Sequence, residues 1–79
     1  MPTILRLKGF RFAFFVADRD EPVHVHVSRE SKGAKYWLTP VVRLANNKGF
    51  RPHDLDVIER LVRENRDGII ETWNAYFRL

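Results

Sequence analysis

The sequence contains no cysteine, so neither disulfide bonds nor thiolate metal ligands can hold the fold together, and a cysteine nucleophile is excluded. It also contains no apolar run of about 20 residues, the length that a membrane-spanning helix needs. We therefore expect no membrane partner. The first ten residues place charges inside what would be the apolar part of a signal peptide, which predicts a cytoplasmic protein.

The residues that are present suffice for one small hydrophobic core. Hydrophobic residues make up 44% of the 79 positions, with six Phe, two Trp and two Tyr, so the composition is not that of a disordered chain. The length predicts a single domain over residues 1–79. Fourteen Lys and Arg against ten Asp and Glu give a net charge of +4, which makes RNA or DNA a candidate partner.

Segments with strand composition fill the first half of the chain. They are residues 3–7, 11–16, 23–27, 34–38 and, as a short fifth strand, 41–45, which ends in the turn-like "NNKG". Gly9 separates the first two segments, and this predicts a hairpin in which glycine takes a positive φ. The fifth segment is a candidate edge strand that could pair with a second copy, which would allow a homodimer.

The hydrophobic period becomes helical after Pro52. Apolar residues recur at helical spacing from Leu55, and proline suits the first turn of a helix. A second apolar stripe ends at Phe77, and "NRDG" at 65–68 indicates either a break between two helices or a kink in one. The sequence thus predicts an α+β fold, with an antiparallel sheet of four to five short strands covered by one bent or two C-terminal helices.

The segment "VHVHV" alternates strictly, as a half-buried strand does. Side chains alternate across a strand, so Val23, Val25 and Val27 should share the core face and leave His24 and His26 together on the opposite face. The two histidines would be about 7 Å apart at the backbone. Such a pair can hold zinc if other side chains supply further ligands.

Three interpretations of the histidine pair remain open. For zinc, the additional ligands could come from Glu21, Asp18, Asp20 or His53. For catalysis, the two histidines could act as acid and base in RNA cleavage. In the third interpretation, both histidines are structural or belong to a solvated contact surface.

Cationic residues and an aromatic residue could also form a contact surface. If strands one, two and four are neighbours, Arg6, Arg11 and Lys35 share one face, with Trp37 beside Lys35. Sheets of this kind bind single-stranded RNA. The alternative is that the cations only keep an edge strand soluble. Because Tyr36 and Trp37 are adjacent, one of them should face the core and the other the contact surface.

Several motifs together resemble a family of small prokaryotic proteins classed as domain of unknown function 4160. The motifs are "PTILR" at the start, "GFRF" at 9–12, "D-x-x-E-P-x-H-V-H-V" at 18–27, "AKYWL-x-P" at 34–40, "N-x-G-F" at 47–50, "I-x-x-x-V-x-E-N" at 58–65 and "W-N-x-Y-F" at 73–77. The resemblance covers nearly the whole chain. It singles out Glu21, Pro22, His24, His26 and Lys35, without implying an activity.

The resemblance also implies a partner, because genes of this family often stand next to one for another small protein, as in toxin–antitoxin modules. We therefore expect a binding module whose contact surface is formed by Glu21, His24, His26, Lys35, Trp37, Arg6 and Arg11. It would contact a partner protein encoded nearby, or nucleic acid. The alternative is an RNA-acting toxin or a metal-binding protein that uses His24 and His26 chemically.

Overall fold

The computed structural model describes residues 3–77 and contains a five-stranded antiparallel sheet followed by two helices. The strands are β1 (Thr3–Leu7), β2 (Phe10–Ala13), β3 (His24–Arg29), β4 (Lys32–Trp37) and β5 (Arg43–Lys48). The helices are α1 (Pro52–Glu64) and α2 (Arg66–Phe77), and a 3-10 helix (Val16–Asp20) links β2 to β3. The predicted α+β class, with an N-terminal sheet and C-terminal helices, is confirmed.

The first hairpin turns at the predicted glycine. Lys8 and Gly9 have φ values of 51° and 82°, and a two-residue loop with both φ values positive is a type I′ turn. This turn has the same handedness of twist as the strands that it joins. The bounds of β1 therefore agree with the predicted segment at 3–7, and β2 begins directly after the turn.

The fifth strand starts and ends later than predicted. It runs from Arg43 to Lys48 and includes the two asparagines that the sequence assigned to a turn. The side chain of Asn47 fixes the strand end, because its Oδ1 accepts the Phe50 N–H at 3.1 Å and its Nδ2 donates to the Phe50 carbonyl at 3.0 Å. The chain turns at Gly49 instead, where φ is 96°.

The strands lie side by side in chain order. The expectation that strands one, two and four are neighbours is therefore wrong, since β3 separates β4 from β2. Short links between successive strands favour this order, in which each strand pairs with the next. The residues that the expectation brought together still share a face, because antiparallel pairing keeps their alternation in phase across the sheet.

One face of the sheet packs against the helices and forms the core. Val25 and Val27 are 0% and 1% exposed, as the alternation predicts. The Tyr36 hydroxyl reaches α1 and donates a hydrogen bond to the Leu55 carbonyl at 3.2 Å. Other buried members of this core are Phe10, Phe12, Phe14, Leu38, Ile58, Leu61, Val62, Ile69, Trp73 and Phe77. We call the opposite side of the sheet the open face.

The helical half contains two helices and not one bent helix. The first begins at Pro52, as predicted, and the break falls at Asn65. Asn65 is the C-cap of α1: its backbone N–H forms the last helical bond to the Leu61 carbonyl at 3.1 Å, and its side chain donates to the same carbonyl at 2.8 Å. Within residues 3–77, neither helix has the length and the apolar composition that crossing a bilayer requires.

Candidate metal centre and the open face of the sheet

The strand register arranges the open face in rows that cross the sheet. One row contains Ala13, His26, Lys35 and Asn46, and the next contains Arg6, Arg11, Ser28, Gly33 and Lys48. Trp37 also lies on this face, whereas Tyr36 points into the core, so the two adjacent aromatic residues face opposite ways as predicted. Arg6, Arg11, Lys35 and Trp37 therefore share the open face with His26.

The two histidines differ in their exposure, although the alternation places both on the open face. The side chain of His24 is 0% exposed, whereas that of His26 is 26% exposed. The chain leaves the sheet after Ala13, and Trp73 of α2 packs beside His24 with 5.2 Å between ring centroids. Trp37 covers another side of the His24 ring, with 5.4 Å between the two ring centroids. The expected pair of accessible histidines is thus reduced to one, and His24 cannot form part of a contact surface.

The 3-10 helix directs the carboxylate of Asp18 at both histidines. Its Oδ2 accepts the backbone N–H of Phe15 at 2.8 Å, which fixes the orientation of the side chain. Its Oδ1 lies 3.1 Å from Nε2 of His24, and its Oδ2 lies 3.0 Å from Nε2 of His26. One ligand-type atom from each of the three residues lies within 4.8 Å of the others. We call these residues the Asp18–His24–His26 cluster.

The hydrogen bond of His24 determines which ring nitrogen faces the cluster with a lone pair. Its Nδ1 lies 2.8 Å from the Pro22 carbonyl oxygen, which can only accept, so Nδ1 carries the proton. In the neutral ring the lone pair is then on Nε2. This buried atom has no hydrogen-bond partner among residues 3–77, because Asp18 Oδ1 at 3.1 Å is not aligned for one.

Burial and neighbouring charges shift the pKa values of Asp18 and His26 in opposite directions. Burial raises the pKa of Asp18, but the hydrogen bonds from Phe15 and His26 and the charges of the two histidines outweigh it, so the pKa is lowered overall. Burial lowers the pKa of His26, and the neighbouring carboxylate of Asp18 opposes this effect only in part. A lowered pKa favours the neutral imidazole, which is the form that binds metal ions.

The comparisons with known proteins identify the family. The model of the family described as "Domain of unknown function (DUF4160)" matches residues 9–74. The chain belongs to this family. The matched span includes all three residues of the Asp18–His24–His26 cluster and most of the open face. No curated protein and no solved structure matches the chain.

The other predicted metal ligands of this DUF4160 chain lie outside the cluster. The carboxylate of Glu21 accepts a hydrogen bond from Nζ of Lys35 at 2.5 Å, and this bond lowers the pKa of Glu21. Asp20 is exposed, and His53 is exposed in the first turn of α1. Asp18 is therefore the only one of the four candidates that joins the histidines within the described residues.

A shallow depression of about 320 Å³ adjoins the cluster on the open face. Its lining residues are Arg11, Ala13, Phe15, His26, Val27, Ser28, Gly33, Ala34, Lys35, Asn46 and Lys48. The sequence interpretation did not include Phe15 or Lys48. The alternation that places Arg11 and Ala13 on the open face also places Phe15 there, so Phe15 could have been predicted from the sequence. Lys48 could not, because the sequence assigned it to a turn.

Proposed function

We propose that this domain binds a divalent transition-metal ion through Asp18, His24 and His26, and that Zn²⁺ is the ion that fits best. The observation that carries the proposal is the buried Nε2 of His24, whose lone pair faces a carboxylate and a second imidazole. Without an ion, this atom either opposes the carboxylate with its lone pair or takes up a proton inside a fully buried ring. A metal ion would satisfy the lone pair and the carboxylate together.

The spacing of the ligand atoms supports zinc. Bonds of 2.0–2.1 Å in a tetrahedral site place neighbouring ligand atoms roughly 3.3 Å apart. The distances from Asp18 oxygens are 3.1 Å to Nε2 of His24 and 3.0 and 3.2 Å to Nε2 of His26. The three ligand atoms lie within 4.8 Å of one another, so the two histidine nitrogens would have to approach each other by up to roughly 1.5 Å to reach that spacing. Imidazole ligands also favour zinc and its transition-metal neighbours over Mg²⁺ and Ca²⁺.

The surroundings of the cluster resemble the support that metal ligands have in proteins. A histidine that binds a metal usually donates its other ring N–H to a backbone carbonyl or a carboxylate. His24 does so to Pro22, and the N–H of Phe15 holds the Asp18 carboxylate. Both contacts orient a ligand before any ion arrives, which lowers the conformational cost of binding.

Three protein ligands would leave a coordination position for water or for a group of a partner. Structural zinc sites normally use four protein ligands, whereas sites with three keep one position open. The open position would lie towards the exposed edge of His26, since His24 is buried. The domain would then act as a metal-dependent binding module that contacts its partner through the open face. Direct acid–base use of both histidines is disfavoured, because a substrate cannot reach His24.

A zinc titration of the chelator-treated protein tests this proposal. Calorimetry should give one ion per chain, and NMR should show the Nε2 signals of His24 and His26 shifting in step with occupancy. His53 lies outside the cluster and provides an internal control. Asp18→Asn and His26→Gln should weaken binding at least about tenfold, because even residues that only support a ligand affect affinity by that much, whereas His53→Gln should not.

Two results would contradict the proposal. The first is the absence of stoichiometric shifts at His24 and His26 with Zn²⁺, Fe²⁺ and Mn²⁺ alike. The second is an equal response of His53, which would indicate adventitious binding to any accessible imidazole. Either result would leave a hydrogen-bonded His–Asp cluster with a structural role.

A further inference from the structure

We infer that the open face of the sheet binds single-stranded nucleic acid, and that the nucleic acid lies along the row of residues that runs from Arg11 to Lys48. This inference goes beyond metal binding and does not depend on it, because neither of these residues belongs to the Asp18–His24–His26 cluster. It rests on the register of the row, the floor of the depression, the charges at its ends and the aromatic ring at its rim.

The row gives the cations a regular spacing across the sheet. Arg11 pairs with Ser28, Ser28 with Gly33, and Gly33 with Lys48, so the row crosses four strands from β2 to β5. At about 4.8 Å between strands, Arg11 and Lys48 are roughly 14 Å apart at the backbone. Arg6, which pairs with Arg11, extends the row by one more strand. This length can accommodate several nucleotides of an extended strand.

The floor of the depression between these cations is low and combines small apolar residues with a few polar side chains. Ala13 and Gly33 contribute little or no side chain there, which lets a bound backbone approach the sheet. Ser28 and Asn46 also line the depression and can hydrogen-bond to phosphate, sugar or base edges. The lining contains no carboxylate, so nothing in it repels an anion.

The cations at the ends of the row are available for phosphate. Within residues 3–77, neither Arg11 nor Lys48 forms an ion pair. Nε of Arg11 donates to the hydroxyl of Thr3 at 2.7 Å, which orients the guanidinium and leaves its charge uncompensated. Lys35 contributes less, because Glu21 holds its ammonium.

The aromatic ring at the rim distinguishes this surface from a purely electrostatic one. Phe15 is 39% exposed, and its ring lies edge-on to that of His26 with 4.3 Å between centroids, so its orientation is fixed. Exposed aromatic rings beside cations are the usual stacking platforms for the bases of single strands. A protein partner is less well matched, because the centres of protein interfaces are depleted in charged residues.

Fluorescence anisotropy with a labelled 12-nucleotide oligo-U or oligo-dT, in EDTA and at several salt concentrations, tests the inference. The logarithm of the association constant should fall linearly with that of the salt concentration, by about 0.7 for each phosphate contacted. Arg11→Gln and Lys48→Gln should each weaken binding and reduce the slope by about 0.7. Arg60→Gln, the same loss of charge on an exposed position of α1, should change neither.

Phe15→Ala separates stacking from charge. It should weaken binding about fivefold or more, because each stacked base contributes at least about 1 kcal/mol, and it should leave the salt slope unchanged. Circular dichroism would establish that each variant is folded. If Arg11→Gln does not fold because it loses the Thr3 contact, Lys48→Gln on the exposed strand β5 provides the same test.

Three outcomes would overturn the inference. Equal weakening by Arg60→Gln would indicate diffuse attraction, and equal competition by a poly-Glu peptide would point to an acidic protein partner. Binding of a free mononucleotide as tightly as the oligonucleotide would indicate a small-molecule site. Because the assay contains EDTA, failure of zinc binding would not affect it, and a protein that binds zinc but no oligonucleotide would overturn this inference alone.

Discussion

Replacing His24 with leucine separates a metal ligand from a structural histidine. In the chelated protein we expect the free energy of unfolding to fall by about 1 kcal/mol. The substitution loses the hydrogen bond to Pro22, about 1 kcal/mol, and the aromatic contacts with Trp37 and Trp73, about 0.5–1.5 kcal/mol each. It also removes a buried polar atom that has no partner among the described residues, which recovers about 1–3 kcal/mol.

The structural interpretation predicts a much larger effect. If His24 were a charged partner of Asp18, removing it would break a buried ion pair, at a cost of about 3–5 kcal/mol. Thermal or urea unfolding in EDTA distinguishes the two values. A loss of that size in EDTA would refute the reasoning, because it would mean that His24 stabilises the domain without an ion.

Zinc completes this experiment. At one hundred times its Kd, an ion that binds only the folded state stabilises it by about 2.7 kcal/mol. For a domain of 79 residues this corresponds to an increase in Tm of roughly 11–22 °C. His24→Leu should abolish the increase, whereas His53→Leu, on the exposed surface of α1, should retain it. An equal increase in His24→Leu would exclude His24 as a ligand.

Three further predictions concern the fold. Val25→Asp should prevent folding, as seen by circular dichroism, because it buries an unpaired charge at a fully buried position, and a folded variant would contradict the assignment of the core face. Gly9→Ala should lower the free energy of unfolding, measured in urea, by about 1–2 kcal/mol, because φ is 82° there. As its control, Gly68→Ala inside α2 should raise the free energy of unfolding by up to about 1 kcal/mol, because an added Cβ meets no atom within 4 Å. Burial, with the charges of Glu59 and Asp56, raises the pKa of Tyr36 from 10.0 to about 12. The stability that this neutral tyrosine contributes should be complete below pH 10 and be lost as the pH rises through about 12, which parallel absorbance and unfolding titrations would measure.

Local rules predicted the parts of the fold that short segments determine. The strand composition of residues 3–7 and the glycine at position 9 predicted the first hairpin, and Pro52 predicted the start of α1. The bounds of β5 could not be read in this way, because the side chain of Asn47 bonds to Phe50 and moves the turn to the following glycine. Asparagine in a sequence predicts a turn, and only the contact between Asn47 and Phe50 shows that these asparagines belong to a strand.

The candidate site depended on tertiary contacts that the sequence does not display. The alternation predicted a shared face for His24 and His26 but not the burial of one of them, because Trp73 lies 49 positions after His24. The choice of Asp18 over Glu21 followed from the 3-10 helix, in which the Phe15 N–H holds the Asp18 carboxylate. Their spacing in the sequence alone did not distinguish Asp18 from Glu21 as a metal ligand.

The proposed metal site and the proposed nucleic-acid surface meet at one side chain. His26 belongs to the Asp18–His24–His26 cluster and also lines the depression. An ion in the cluster would therefore add two positive charges that only the side chain of His26 separates from the bound phosphates. Charges at that distance lie inside the Debye length of about 8 Å at physiological salt and are poorly screened. Zinc should therefore tighten oligonucleotide binding. Because coupling between two binding equilibria is reciprocal, the oligonucleotide should tighten zinc binding by the same factor. Equal affinities with and without zinc would mean that the two sites are neighbours without being coupled, and the open coordination position would then serve a different ligand.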